Sequence, residues 1–166
     1  MIKHKINIQH DYDDMLCENN ISIIERAVSE TLLHQGTNML CVVNVLITDD
    51  KTIREYNRDY RGIDKPTDVL SFPMQAFPQA GWKSLQNPEL DEDTGDLPLG
   101  DIIISGITLT KQAKQYGNSV DYEAAYLTIH STLHLLGYEH STDESEKIMH
   151  SENEAIMKEM GFNIND

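Results

Sequence analysis

The segment HSTLHLLGYEH, residues 130–140, decides how the rest of the chain is placed. It closes a stretch, 119–136, in which Ala124, Ala125, Leu127, Ile129, Leu133, Leu135 and Leu136 leave more than one side apolar. A helix apolar on most sides is a buried one, so the pattern predicts a central helix from Ser119 to Leu136. His130 and His134 are four residues apart, offset by only about 40° around such a helix and one turn apart. Gly137 stands where helices commonly stop in a left-handed conformation. The chain can then fold back and bring His140 to the same place. Buried imidazoles left singly would each cost about 1–3 kcal/mol unless hydrogen-bonded, whereas one shared cation satisfies all three. His130, His134 and His140 are therefore expected to hold one metal ion per chain. Three protein ligands leave a fourth position for water, the arrangement of catalytic rather than structural zinc. Zn2+ is the expected ion because imidazole ligands suit it, although nickel, copper or iron can occupy similar sites. His4, His10, His34 and His150 are scattered and read as surface or core residues, with His150 near enough for an outer role.

Working outward, residues 2–8 alternate apolar and polar as a half-buried strand does. Residues 21–35 carry apolar side chains at helical spacing before Gly36. MLCVVNVLIT (39–48) is rich in β-branched residues and reads as a buried strand. Asp49 or Asp50 can cap a helix running to about Tyr60. DVLSFPM (68–74) and LGDIIIS (99–105) read as strands, with helices expected over 107–116 and from Ser141 to about Met160. Between them, 76–98 holds Pro78, Gly81, Pro88, Gly95 and Pro98 with five acidic residues, and reads as a long surface insertion. The sum is an α+β fold: a mixed sheet of about four strands with about five helices, one of them buried, central and carrying the metal ligands. At 166 residues the chain is expected to form a single domain, 1–166.

The formal net charge of −15 argues against a protein that coats nucleic acid by global attraction, and no DNA partner is expected. A locally basic groove remains compatible with it. No apolar run approaches the ~20 residues of a membrane span. The opening residues lack the apolar stretch of an export signal, and Cys17 and Cys41 read as free thiols. These observations fit the cytoplasm.

The chemistry turns on Ser131. In H-E-x-x-H peptidases the residue after the first histidine is the glutamate that serves as general base; here it is serine. That weighs against peptide hydrolysis by the usual route. For phosphodiester cleavage, a cationic side chain that stabilises charge on phosphate matters more than an adjacent carboxylate. Lys51, Arg54, Arg58, Arg61 and Lys65 recur at steps of three and four. Arg54 and Arg58 read as a solvated face paired with neighbouring acids.

YNRDYRGIDKPTDVLSFP (56–73), LGDIIIS (99–105) and HSTLHLLGYEH (130–140) together resemble, in order and spacing, the signature segments of the YbeY family. The likeness runs from about residue 40 to 160. It implies a metal-dependent, single-strand-specific endoribonuclease of the bacterial cytoplasm, acting in 16S rRNA 3′-end maturation and ribosome quality control. Its partners would be single-stranded RNA, 16S rRNA and the ribosome or ribosomal proteins. The family's zinc ligands map onto His130, His134 and His140, and its functional arginine onto Arg61. Two departures stand out: the family usually has glycine where this chain has Ser131, and often aspartate where it has Glu139. Glu139 and Asp143 are the carboxylates near enough to serve as a base, with an attacking 2′-hydroxyl as the alternative. The competing readings are a zinc metallopeptidase and a non-catalytic ribosome-assembly factor with a structural metal.

Overall fold

The structure, a computed structural model, describes residues 2–11 and 15–163. The β-branched run becomes strand β2, Cys41–Thr48, flanked by β1, Lys5–His10, and β4, Leu97–Ser105. β1, β2 and β4 are parallel, and β3, Val69–Pro73, closes the sheet antiparallel to β4 in the order β1-β2-β4-β3. The sheet is thus mixed and four-stranded. Five helices accompany it: α1 (Glu18–His34), α2 (Asp50–Arg61), α3 (Gly106–Tyr116), α4 (Val120–Leu135) and α5 (Asp143–Glu159).

Side-chain alternation explains the layering. Val43, Val45 and Ile47 project from one face of β2 and join Ile102 and Ile104 in the main core, where Ile24 and Leu32 of α1 and Ile129 and Leu133 of α4 meet them. β2 is therefore covered by helices on one face. Its other face exposes Asn44, whose amide bridges the strands: Asn7 Nδ2 donates to Asn44 Oδ1 and Asn44 Nδ2 to Asp101 Oδ1, each at 3.0 Å. Only the β3 side of that face is roofed, by a smaller cluster of Ile53, Leu70 and Ile103 with Tyr56 of α2.

The caps of α2 and α4 fall where the sequence reading starts those helices, and that of α5 falls one residue after Ser141, at Thr142. Asp49 Oδ1 accepts from the Thr52 N–H at 2.8 Å, and Ser119 and Thr142 cap α4 and α5 in the same way. α4 is buried on most of its circumference, as its composition requires. Among the described residues no helix is long and apolar enough to cross a membrane.

The 76–98 segment is less detached than its composition implies. Trp82 is buried; its backbone N–H donates to Gln35 Oε1 and its indole N–H to Asn38 Oδ1. Gly81 N–H donates to the Leu136 carbonyl, directly behind the histidine segment. The many turn residues shape a path across the surface, and one large aromatic ring anchors it there by burial.

Candidate metal centre

α4 presents His130 and His134 on one face, and the turn after it supplies the third ring. Gly137 has φ +91°, and the Gly137 and Tyr138 N–H groups donate back to the His134 and Leu133 carbonyls. A Cβ at residue 137 would lie 2.6 Å from Phe77 Cβ, so glycine is needed both for the backbone angle and for the space. The reversal brings His140 beside the helix, and one ring nitrogen from each of the three histidines lies within 4.8 Å of the others.

The donor set fits a divalent cation. The Tyr138 carbonyl 2.8 Å from His134 Nδ1 can only accept, so that nitrogen carries the proton and Nε2 keeps its lone pair. This bare Nε2 faces His130 Nε2 at 3.1 Å. Bonds of ~2.0–2.1 Å at tetrahedral angles place ligand nitrogens about 3.3 Å apart, close to what is seen. Burial, with the neighbouring His134 and His140 adding to it, pushes His130 down to about 4. Burial also lowers His134, against the opposing Tyr138 hydrogen bond. Neutral imidazoles are the form that ligates, and the arrangement suggests a metal site.

The triad opens on a cleft of about 750 Å³ between α4 and β3, which Arg61, Thr67, Asp68 and Ser71 also line. Arg61 Nη1 donates to Asn57 Oδ1 at 3.3 Å, and Asn57, itself buried, ties down the following turn by donating to the Lys65 carbonyl at 2.9 Å. The other arginines of the stripe are engaged elsewhere. Arg54 clasps Asp64 through Nε and Nη2 at 2.8 and 3.3 Å, and Arg58 reaches Asp59 at 3.1 Å. Arg61 is thus the arginine of the stripe that lines the histidine cleft. Ser131 is buried, and its hydroxyl meets that of Ser71 on β3 in a short hydrogen bond. Glu139 lines the same cleft, whereas Asp143 lines a different cavity on the far side of His130.

Comparison with known proteins agrees with this geometry. The family model for endoribonuclease YbeY matches residues 5–161. The chain belongs to the YbeY family. The Endoribonuclease YbeY of Caldicellulosiruptor saccharolyticus is 42% identical over 163 residues, covering 95% of this chain and 98% of that protein. The Endoribonuclease YbeY of Desulforamulus reducens is 42% identical over 146 residues, covering 88% and 90%. The solution structure of TM1509 from Thermotoga maritima superposes with a TM-score of 0.50 at 26% identity, covering 93% of this chain and 91% of that one.

Two residues that line this YbeY-family cleft, Tyr126 and Ser71, and one that supports it from behind Arg61, Asn57, are not singled out by sequence reading. Asn57 stands four before Arg61 and Tyr126 four before His130, a helical spacing that places each beside a chosen residue. Ser71 carries no such signal, because its neighbour Ser131 belongs to a different element. Of the remaining histidines, His4 contacts Thr37 and the Cys41 N–H, and His34 pairs with Glu152 and Glu159; both are structural.

Proposed function

We propose that this protein is a zinc-dependent, single-strand-specific endoribonuclease of the cytoplasm. It would act in 16S rRNA 3′-end maturation and ribosome quality control, in contact with ribosomal RNA and proteins, and residues 1–166 would form its single catalytic domain. One observation carries the reading: three convergent imidazoles and an arginine line the same open cleft, while the side chain after the first histidine is turned away onto β3. The Ser131 hydroxyl is committed to Ser71, so no base of the peptidase kind stands beside the triad at that position.

In this reading His130, His134 and His140 hold the ion, and His134 is oriented by the Tyr138 carbonyl. The ion, when bound, supplies Lewis acidity toward a phosphate oxygen and a more acidic water. Arg61 binds non-bridging phosphate oxygens through its guanidinium fork, and Asn57 sets the plane of that fork. Glu139, which lines the cleft, would be the carboxylate to accept a proton from the attacking hydroxyl or water. An acidic chain of net charge −15 binds RNA through such local contacts rather than through a general field.

The test is a cleavage assay on a single-stranded fragment spanning a 16S 3′ end, beside a duplex of equal length, with zinc-loaded wild type, Arg61→Ala and His134→Ala proteins shown to be folded. Wild type is expected to cut the single strand, with each variant reduced by about 100-fold or more. Undiminished cutting by both folded variants would reject the assignment. Chelator-sensitive cutting of casein with RNA untouched would favour a peptidase.

A further inference from the structure

The histidine triad has a second open side. Tyr126, His130 and His140 form a wall shared between the Arg61 cleft and another cavity of about 540 Å³, whose far side is α5. Nothing in the phosphate-binding reading uses that cavity.

Its charge is wrong for phosphate. Asp143 and Glu146 stand against Lys147, while His150 on the same rim is engaged by Glu154 at 3.7 Å and by the Tyr126 hydroxyl at 3.4 Å, so the rim is net acidic and would repel an anion. Its interior suits a flat, uncharged, hydrogen-bonding body. The Tyr126 ring, already parallel to Tyr122 at a centroid distance of 6.5 Å, and the buried Met149 provide apolar surface. Asn153 is only 1% exposed. Its Nδ2 donates to the Tyr126 carbonyl in a long hydrogen bond of 3.5 Å, and its Oδ1 has no hydrogen-bond partner among the described residues. Buried acceptors are ordinarily satisfied, so this one calls for a donor from outside. Asn153 Oδ1 and the two carboxylates are all acceptors; beside them Lys147 is a donor, and the Tyr126 hydroxyl and His150 ring contact each other at 3.4 Å.

We propose that this cavity is a nucleobase subsite that receives a guanine next to the scissile position, while the phosphate chain follows the Arg61 side. The inference rests on the RNA-cleaving reading above and extends it to base preference. Guanine is the base of RNA that offers adjacent N–H donors, N1–H and the 2-amino group, beside a carbonyl acceptor. Those donors match the Glu146 or Asp143 carboxylate and Asn153 Oδ1, and the carbonyl matches Lys147. Adenine and cytosine would turn a ring-nitrogen lone pair toward the carboxylates, and uracil would turn carbonyls toward them. Bases splayed out of single-stranded RNA are read in this manner, by stacking on aromatic rings and by their pairing edges.

Guanosine, a nucleoside without phosphate, is titrated into the full-length protein and followed by the Met149 methyl resonance, assigned with Met149→Leu. Adenosine, cytidine and uridine serve as comparisons. Guanosine is expected to shift that methyl and to bind about tenfold tighter than the others. Glu146→Gln and Lys147→Ala, at exposed positions on the first turns of α5, are expected to reduce its affinity by about tenfold each without unfolding the protein. Asn153→Leu should do the same but is buried, so the two exposed variants carry the decision. In parallel, pyrimidine oligoribonucleotides with one embedded guanosine are expected to be cut next to it by wild type and more evenly by Glu146→Gln. Equal affinity for all four nucleosides, or an unchanged guanosine affinity in both exposed variants, would overturn the subsite. RNA cleavage without base preference removes the subsite and leaves the nuclease reading. Guanosine binding at Met149 with no RNA cleavage removes the nuclease reading and leaves the subsite.

Discussion

His134 donates from Nδ1 to the carbonyl of Tyr138, four residues on, at 2.8 Å. The acceptor lies beyond the end of α4, in the turn that delivers His140, so one hydrogen bond links the orientation of the second ring to the path of the third. Replacing His134 removes both a ligand and that link. His134→Ala is expected to retain less than about a tenth of the metal bound by wild type, which is expected to hold one zinc per chain. Metal analysis of dialysed protein checks this, with circular dichroism to show the fold is kept.

Gly137→Ala tests the turn itself. The new Cβ would meet Phe77 Cβ at 2.6 Å and the Gln79 carbonyl oxygen at 2.9 Å, at a backbone φ of +91°. Strain and overpacking together are expected to cost about 3 kcal/mol. A melting temperature lower by roughly 6–12 °C is the corresponding readout for a chain of this size. Zinc affinity should fall as well, since His140 can no longer close on the helix. An unchanged melting curve would contradict the packing described at this turn.

Asn57→Ala separates position from charge. Asn57 supports Arg61 through Oδ1 and the Lys65 carbonyl through Nδ2. The substitution empties a buried position and removes the donor to the Lys65 carbonyl, with an expected stability loss of about 1 kcal/mol. RNA cleavage should fall about tenfold, less than for Arg61→Ala, because the guanidinium remains but is no longer held. Arg61→Lys should fall further than Asn57→Ala, since a lysine keeps the charge but not the fork. Cleavage kinetics on one oligoribonucleotide rank the three.

A pH dependence of stability is expected from Asp50 at the start of α2. Burial opposes its charge, but the Ser105 and Thr108 hydroxyls, at 2.6 and 2.5 Å, and the Lys111 ammonium outweigh burial and hold its pKa below the ordinary 3.8. A carboxyl whose folded pKa is depressed contributes stability above its unfolded pKa and loses it as the pH falls through the folded value. The wild-type advantage over Asp50→Asn should therefore be full at neutral pH and shrink once the pH drops below about 3.8. Urea midpoints for the two proteins measured from pH 7 down to pH 2 test the sign.

Much of this was legible before any coordinates. The apolar circumference of 119–136 identified the buried helix, and glycine at 137 after two histidines at i and i+4 predicted the returning third ring. Both signals are local, because helical spacing and left-handed turns are set by neighbours along the chain. Sheet order and layering were not legible. β1 and β4 flank β2 from 37 and 57 residues away by parallel register, as Asn7–Asn44 and Asn44–Asp101 show. No local pattern encodes that order. The same limit explains Arg54, which reads as paired with acids on its own helix yet clasps Asp64 beyond the helix end.

Trp82 is the one tryptophan of the chain, and its indole is lodged between Asn38 and Phe77 in the segment that crosses behind the histidine turn. The molecule therefore carries a built-in optical gauge. Excited at the red edge of indole absorption, where the seven tyrosines stay dark, this fluorophore registers the seating of the crossing strap with no label to perturb it.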